Sequence, residues 1–333
     1  MKYTVLGQTG VLVSELCFGT MSFGNEADEN ESARMFARCR DAGINFYDCA
    51  NNYSDGRAEV ILGRLINDCR DEIVITTKVT HRTGKDVNAI GSSRRHIMIE
   101  IEKSLQRLGT DRIDLYFIHQ FDELTPIDET LRVLDDLIRQ GKVLYIGASN
   151  WAAWQVAKAL GISAKEGLAR FECIEPMYNL VKRQAEVELF PLVLSENVGA
   201  IVYNPLAAGL LSGKFSGGKS RKTGRIVERD LYAKRYSDPA YYDIAERFYN
   251  CAMGKNINPV TLAVSWVKAH PAVTAPIIGA RNMEQLSASL AAADLDLTAE
   301  MRQEISNLSI HPANATDRLE ENLDAGFQLR SRR

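Results

Sequence analysis

The sequence predicts an α/β protein: a (β/α)8 TIM barrel with an N-terminal β-hairpin plugging its bottom. Three observations carry that expectation. Short apolar runs alternate with amphipathic stretches along most of the chain, which is how a parallel sheet crossed by helices reads. Eight such pairs follow one another with no linker between halves, as a closed barrel requires. The 333 residues could make two domains, but α/β barrels of roughly 250 residues and more form one unit. Residues 1–333 therefore read as a single barrel.

The chain opens on "YTVLGQTGVLVSEL", two apolar strands around a glycine-containing turn. The first four barrel strands are "LCFGT" (16–20), "NFYDCA" (45–50), "IVITTKV" (73–79) and "IDLYFIH" (113–119). The next four are "VLYIGAS" (143–149), "FECIEP" (171–176), "AIVYNPL" (200–206) and "APIIGA" (275–280). Helical periodicity marks 30–41, 57–68, 94–108, 128–140, 151–160, 184–196, 259–269 and 282–292. The interval 207–258 is rich in Gly, Lys, Arg and Tyr and lacks a strand pattern. A loop that long in a compact domain is usually functional, so it predicts a cofactor or substrate loop. The polar tail 309–333 packs weakly or covers the barrel mouth.

Composition excludes several classes. The chain is 45% hydrophobic and 25% charged, with net charge −3 and both signs mixed, unlike a nucleic-acid footprint. No apolar run approaches a membrane span, and "MKYTVLGQTG" lacks the apolar core of a signal peptide. Six scattered cysteines without a CxxC pair read as reduced thiols of a cytoplasmic protein.

Chemistry in such a barrel sits where strands end at the C-terminal face. Those positions hold Asp48, with Tyr53 in the next loop, then Lys78, His119, Ser149-Asn150, Glu175, Tyr203-Asn204 and Arg281. Asp48, Tyr53, Lys78 and His119 suggest proton transfer to a carbonyl oxygen. A phenol is a poor acid near neutrality, and an ammonium within about 4–6 Å lowers its pKa. Lys78 suits that role, Asp48 would keep it charged and aimed, and His119 would orient the carbonyl. Taken singly, each has a plainer reading: Asp48 as a cap, Tyr53 as rim cover, Lys78 as a solvated strand end, His119 as a core imidazole. Four plain coincidences at one face are less economical than one site. A metal could use Asp, His and Glu175, but no HExxH spacing is present and a neighbouring lysine opposes a cation. No metal is expected.

Two segments suit an anion. In "YNPLAAGLLSGK" (203–214), Ala207, Ala208 and Gly209 are small enough for backbone amides to approach a phosphate, and Lys214 adds charge. The GxxxxGK[ST] pattern fails in spacing and at Phe215, and no GxGxxG follows a strand. A flexible glycine loop remains open as the alternative. In "IIGARNMEQL", Gly279 and Arg281 precede a helix N-terminus, which suits a phosphate monoester such as the 2′-phosphate of NADPH. Asn282 reads equally as a plain cap with Arg281 at the surface.

Together these residues resemble the aldo-keto reductase family. The resemblance spans "LGQTGVLVSELCFGTMSFG" to "PIIGARNMEQL", through "GINFYDCANNYSDGRAEVILG", "TTKV", "DLYFIH", "GASN", "MYNLVKR" and "PLAAGLLSGK". In pattern it is nearest the bacterial members related to potassium-channel β subunits. It implies an oxidoreductase that binds extended NADP(H), with NAD(H) as second candidate, and reduces an aldehyde or ketone without metal. The implied tetrad is Asp48, Tyr53, Lys78 and His119, with Tyr53 as general acid. Ser149 and Asn150 match positions that hold the nicotinamide carboxamide, and Tyr203 the aromatic that stacks on its ring. Asn204, Pro205, Leu206, Ala207, Ala208, Gly209 and Lys214 match diphosphate contacts. Gly279, Arg281 and Gln285 match the adenosine-phosphate end, and Gly19, Thr20, Met21 and Asp48 further cofactor contacts.

Two positions depart from the family. Glu175 stands where glutamine is usual, and an ionised carboxylate accepts from the carboxamide NH2 but cannot donate to its oxygen. Ala288 and Ser289 replace a Glu-Asn pair found near the adenine in some relatives. The alternative is a nicotinamide-nucleotide-binding regulatory module of the same fold with little turnover. The complete tetrad favours turnover of a small-molecule carbonyl, with no nucleic-acid or membrane partner. Met21, Phe23, Tyr53 and Trp151 are expected to wall the pocket, under a roof from Trp151 or nearby aromatics, 217–243 and the tail. Which carbonyl, and the oligomeric state, the sequence leaves open.

Overall fold

The computed structural model describes residues 1–216 and 223–316. A hairpin of β1 (Tyr3–Val5) and β2 (Leu12–Ser14) precedes the barrel. The barrel strands are β3 (Cys17–Gly19), β4 (Phe46–Asp48), β5 (Val74–Val79), β6 (Ile113–Ile118), β7 (Val143–Ser149), β8 (Phe171–Glu175), β9 (Gly199–Val202) and β10 (Ala275–Ile278). All neighbouring pairs are parallel, and β10 pairs with both β9 and β3, which closes the sheet. The crossing helices begin with α1 (Glu29–Asp41), α2 (Arg57–Ile66), α3 (Arg94–Leu108), α4 (Ile127–Arg139), α5 (Ala153–Glu166) and α6 (Leu189–Glu196). After β9 come α7 (Arg225–Glu228), α8 (Asp230–Arg235), α9 (Pro239–Gly254) and α10 (Pro259–Lys268), and after β10 come α11 (Met283–Leu290) and α12 (Ala299–Ser306). The predicted barrel with its hairpin is what forms.

Strand pleating sorts the core into two parts. One set of alternating residues, Cys17, Phe46, Leu115, Phe117, Cys173, Ile201, Ala275 and Ile277, fills the barrel interior. The other set, including Phe18, Tyr47, Ile75, Tyr116 and Ile146, packs under the helices. From the hairpin, buried Leu6 and Val13 join the interior cluster. Asn45 ties the hairpin down: its Oδ1 accepts from Ser14 N–H at 2.7 Å, and its Nδ2 donates to Leu12 O at 2.9 Å. That is the plug.

The interval 207–258 is not one loop. Its described residues carry a 3-10 turn at Ala207–Ser212 and the helices α7, α8 and α9. In α9, Asp238 caps the first turn, Pro239 opens the helix, and Ile244, Ala245, Phe248 and Ala252 bury one face. Its tyrosines and charges read as loop composition, yet the apolar spacing is helical. Among the described residues, no helix is long and apolar enough to cross a membrane, and no group of three or more His, Cys, Asp or Glu is placed to hold a metal.

Candidate active site

Period two also decides which strand-end residues meet. On β4 the inner face runs from Phe46 to Asp48, on β5 from Thr76 to Lys78, and on β6 from Leu115 through Phe117 to His119. Registers Asp48↔Thr76, Lys78↔Phe117 and Ser149↔Glu175 set these positions side by side. Gly147 on β7 makes room for them. A Cβ there would stand 2.4 Å from the Phe117 ring, which lies 5.9 Å from the Lys78 ammonium.

Lys78 is fully buried, yet charged. Burial alone would lower its pKa, but Asp48 and then Glu175 outweigh it and hold the group well above the usual lysine value. Its Nζ donates to Asp48 Oδ1 and, at 2.8 Å, to the Cys49 carbonyl. Glu175 Oε2 stands 3.3 Å from the same nitrogen. Thr76 Oγ1 donates to Asp48 Oδ1 at 2.5 Å, so the same carboxylate oxygen accepts from both Lys78 and Thr76.

The loop carrying Tyr53 is anchored at several points. Asn51 Nδ2 donates to Glu100 Oε2 of α3 at 2.9 Å, and Ser54 Oγ donates to the Phe23 carbonyl at 2.7 Å. Left-handed Ser54, Asp55 and Gly56 (φ 50°, 55° and 87°) turn the chain into α2 directly behind the phenol. The Tyr53 ring centre lies 5.3 Å from Lys78 Nζ and 6.1 Å from the His119 ring. The expectation of a lowered phenol pKa is corrected here. Burial pushes Tyr53 above the ordinary value, Lys78 opposes it, and Asp48 and Glu175 add to the rise. His119 is held well below the ordinary imidazole value by burial, then by Lys78 and His81. Near neutrality the site therefore holds a neutral phenol, a neutral imidazole and an ammonium.

These groups open onto a cavity of about 1170 Å³, larger than the roughly 300–1,000 Å³ of an ordinary small-molecule site. It extends from Asp48, Tyr53, His119, Asn150 and Glu175, past Tyr203, to Arg281 and Gln285. Gly19, Met21, Asn204, Pro205, Leu206, Ala208, Gly209, Lys214 and Gly279 also line it, as do Ala288 and Ser289. Lys78, Thr20, Ser149 and Ala207 stand behind the wall. Thr20 Oγ1 donates to the Asp48 carbonyl at 2.9 Å and Ser149 Oγ to the Glu175 carbonyl at 3.1 Å. Asn150 is already committed: Nδ2 donates to the His119 carbonyl and to Ser149 Oγ, both at 3.0 Å, and Oδ1 accepts from Tyr203 OH at 2.7 Å.

The anion segments also differ from expectation. Ala207, Ala208 and Gly209 all have positive φ, and the resulting turn uses their amides internally. Ala207 N–H donates to the Asn204 carbonyl, Ala208 N–H to Asn204 Oδ1, and Gly209 N–H to the Leu206 carbonyl, at 2.7–2.9 Å. These donors are not turned to a ligand. At the far end, Asn282 caps α11 by accepting from Gln285 N–H at 3.0 Å, while Gln285 Oε1 accepts from Arg281 N–H at 3.1 Å. Arg281 faces the cavity beside Glu228 at 3.3 Å and Glu26 at 3.6 Å. The cap and the cavity-facing arginine coexist.

Two expected wall residues are elsewhere. Phe23 is in the core, 5.8 Å from Phe18, and Trp151 packs on Phe121 and Phe171. Of the expected roof, Gly224, Arg225, Leu231, Tyr232 and Arg235 line the cavity; residues 217–222 and 317–333 lie outside the described residues. His81 and Gln120 were missed. Each stands two residues beyond the last residue of its strand, and a search extended from the strand end to that position would have found them.

Residues 15–310 match the Aldo/keto reductase family. Among similar proteins is an uncharacterized oxidoreductase, YrpG, of Bacillus subtilis (strain 168), 34% identical over 95% of this chain and 98% of that one. A probable voltage-gated potassium channel subunit beta of Oryza sativa subsp. japonica is 33% identical over 89% of this chain and 92% of its own length. The versiconal hemiacetal acetate reductase of Aspergillus parasiticus is 29% identical over 94% of this chain and 99% of its own. A closed eight-stranded barrel with these strand ends and relatives places the protein: this chain belongs to the aldo/keto reductase family.

Proposed function

We infer that this protein reduces an aldehyde or ketone to the alcohol, reversibly, with NADP(H) and with Tyr53 as general acid. The observation that carries this reading is the buried Lys78 ammonium, paired with Asp48 and 5.3 Å from the Tyr53 ring, at one end of a cavity that reaches Arg281. When bound, a reduced nicotinamide supplies the hydride that reaches the carbonyl carbon. Tyr53 gives its proton to the carbonyl oxygen, and Lys78 offsets the negative charge left on the phenol oxygen. Neutral His119 has an N–H with which to hold the carbonyl oxygen in line. The raised phenol pKa suits a donor that keeps its proton until an acceptor arrives.

Nicotinamide binding is supported by the open carboxyl of Glu175 and the Tyr203 ring at the same end of the cavity, and NADP(H) over NAD(H) by Arg281 and Arg225 at the other. The six cysteines are all free, in keeping with a cytoplasmic enzyme acting on small-molecule carbonyls. Calorimetric titration with NADPH and NADH, for wild type and Arg281→Ala, tests the cofactor. Saturable binding, tighter for NADPH and weakened chiefly for NADPH by the substitution, is expected. A panel of aldehydes and ketones then tests turnover by loss of NADPH absorbance. Binding of neither nucleotide sinks the reading, and binding without turnover favours the regulatory module.

A further inference from the structure

Glu175 closes the inner face of β8 with a side chain only 3% exposed. Its Oε2 is near enough to Lys78 Nζ to feel its charge, at 3.3 Å, but has no hydrogen-bond donor aligned on it. Asn150 and Ser149 bond to each other and to the backbone, and Lys78 donates to Asp48 and the Cys49 carbonyl, which leaves one ammonium proton that is not aligned on Glu175. The Glu175 carboxyl is thus an open polar group at the Tyr203 end of the cavity.

Charge at this spot does not balance. Asp48 and Glu175 share one ammonium, so with both ionised the buried group carries a net negative charge, which a low-dielectric interior disfavours. A proton on Glu175 removes that charge, and so does a cation laid against it. Burial and then Asp48 push the carboxyl up to about 8, against the pull of Lys78. A nicotinamide ring has two states that differ by one positive charge, neutral when reduced and cationic when oxidised.

We propose that Glu175 makes this end of the cavity favour the oxidised, cationic ring, by giving up its proton when that ring binds. This rests on the nicotinamide reading above. The other titratable groups that face Glu175 are Asp48 on β4, Lys78 on β5, Tyr53 beyond β4, Tyr203 beyond β9, and the thiols Cys17 on β3 and Cys173 on β8. Burial drives both phenols and both thiols upward, Tyr203 to about 12. Lys78 keeps its charge, and His119 on the β6 side stays neutral. From β7 and β10 the facing residues, Ser149 and Ile277, carry no charge. The phosphates are common to both forms of the cofactor, so their titration cancels in a ratio of affinities. A carboxylate here makes the bound reduced cofactor the stronger hydride donor and the oxidised one slower to leave.

Calorimetry with NADPH and NADP+ on wild type and Glu175→Gln, from about pH 6 to about pH 8, decides it. In the wild type the ratio Kd(NADP+)/Kd(NADPH) is expected to fall by roughly tenfold across that range, and by no more than about tenfold per pH unit for one proton. NADP+ binding should release a proton, read as a buffer-dependent heat. In Glu175→Gln the ratio should be flat and, at about pH 8, roughly tenfold above wild type. A wild-type ratio that does not change with pH overturns the inference even if the variant does not fold, and so does a variant that keeps the slope. Binding of neither nucleotide removes the nicotinamide reading itself, whereas binding of both with an unchanging ratio removes only the role of Glu175.

Discussion

The Lys78 ammonium and the centre of the Tyr53 ring lie 5.3 Å apart at the barrel mouth. A charge at that distance from a phenol, screened from water, acts far more strongly than in solvent. Even so, burial outweighs it and Tyr53 holds its proton. On the proposed reading, the phenol gives that proton to an acceptor placed against it and the lysine meets the charge that remains.

Replacing Tyr53 with Phe removes that proton and little else. Turnover of any accepted carbonyl should drop by about 10²–10⁴-fold, while the Kd for NADPH changes little. Steady-state kinetics beside calorimetry check this. Equal loss of binding and turnover would place Tyr53 in cofactor recognition instead.

Lys78 is one ammonium beside two buried carboxyls, Asp48 and Glu175. Lys78→Met should destabilise the fold by about 3–5 kcal/mol, toward the lower end because Glu175 is able to take a proton. Adding Glu175→Gln should recover part of the loss, measured by urea unfolding. Losses that simply add, within about 0.5 kcal/mol, would mean the two residues do not share a charge site.

Arg281 stands within 3.3 Å of Glu228 and 3.6 Å of Glu26, while Arg229 also holds Glu26 at 2.8 Å. A phosphate reaching Arg281 must compete with those carboxylates. Glu228→Gln is therefore expected to tighten NADPH binding a few-fold, and Arg281→Ala to weaken it by roughly tenfold or more. Weaker NADPH binding in Glu228→Gln would show that the carboxylate instead holds the binding surface in place.

Acid should unfold the protein partly through its histidines. Burial, then Arg302, lowers His270 to about 4, and its Nδ1 accepts from Ala272 N–H at 3.1 Å, which only the neutral ring can do. His119 is lowered as well. Between about pH 6.5 and about pH 4 the unfolded chain binds protons that the folded one refuses, so stability falls as pH falls. Each fully buried imidazole contributes at most about 1.4 kcal/mol per pH unit, and the half-buried His270 less. His270→Asn should flatten the slope of unfolding midpoint against pH in this window; an unchanged slope would assign the acid lability to other groups.

Alternation and period were enough to read the barrel, the hairpin and the strand ends. Asp48, His119 and Glu175 are two-residue steps beyond the apolar inner-face positions Phe46, Phe117 and Cys173, and Lys78 the same step beyond Thr76, so their convergence follows from the pleat. The helices of 207–258 were legible in principle, since Ile244, Ala245 and Phe248 keep helical spacing, but their polar neighbours masked it. His81 and Gln120 lie beyond the strand ends, where the pleat no longer dictates direction. What only the tertiary structure decided is electrostatic and local. Burial reversed the expected shift of Tyr53, the turn at Ala207–Gly209 used its own amides, and Glu175 came within 3.3 Å of Lys78. A sequence orders side chains along a strand, but desolvation and hydrogen-bond partners depend on what other strands bring to the same few ångströms.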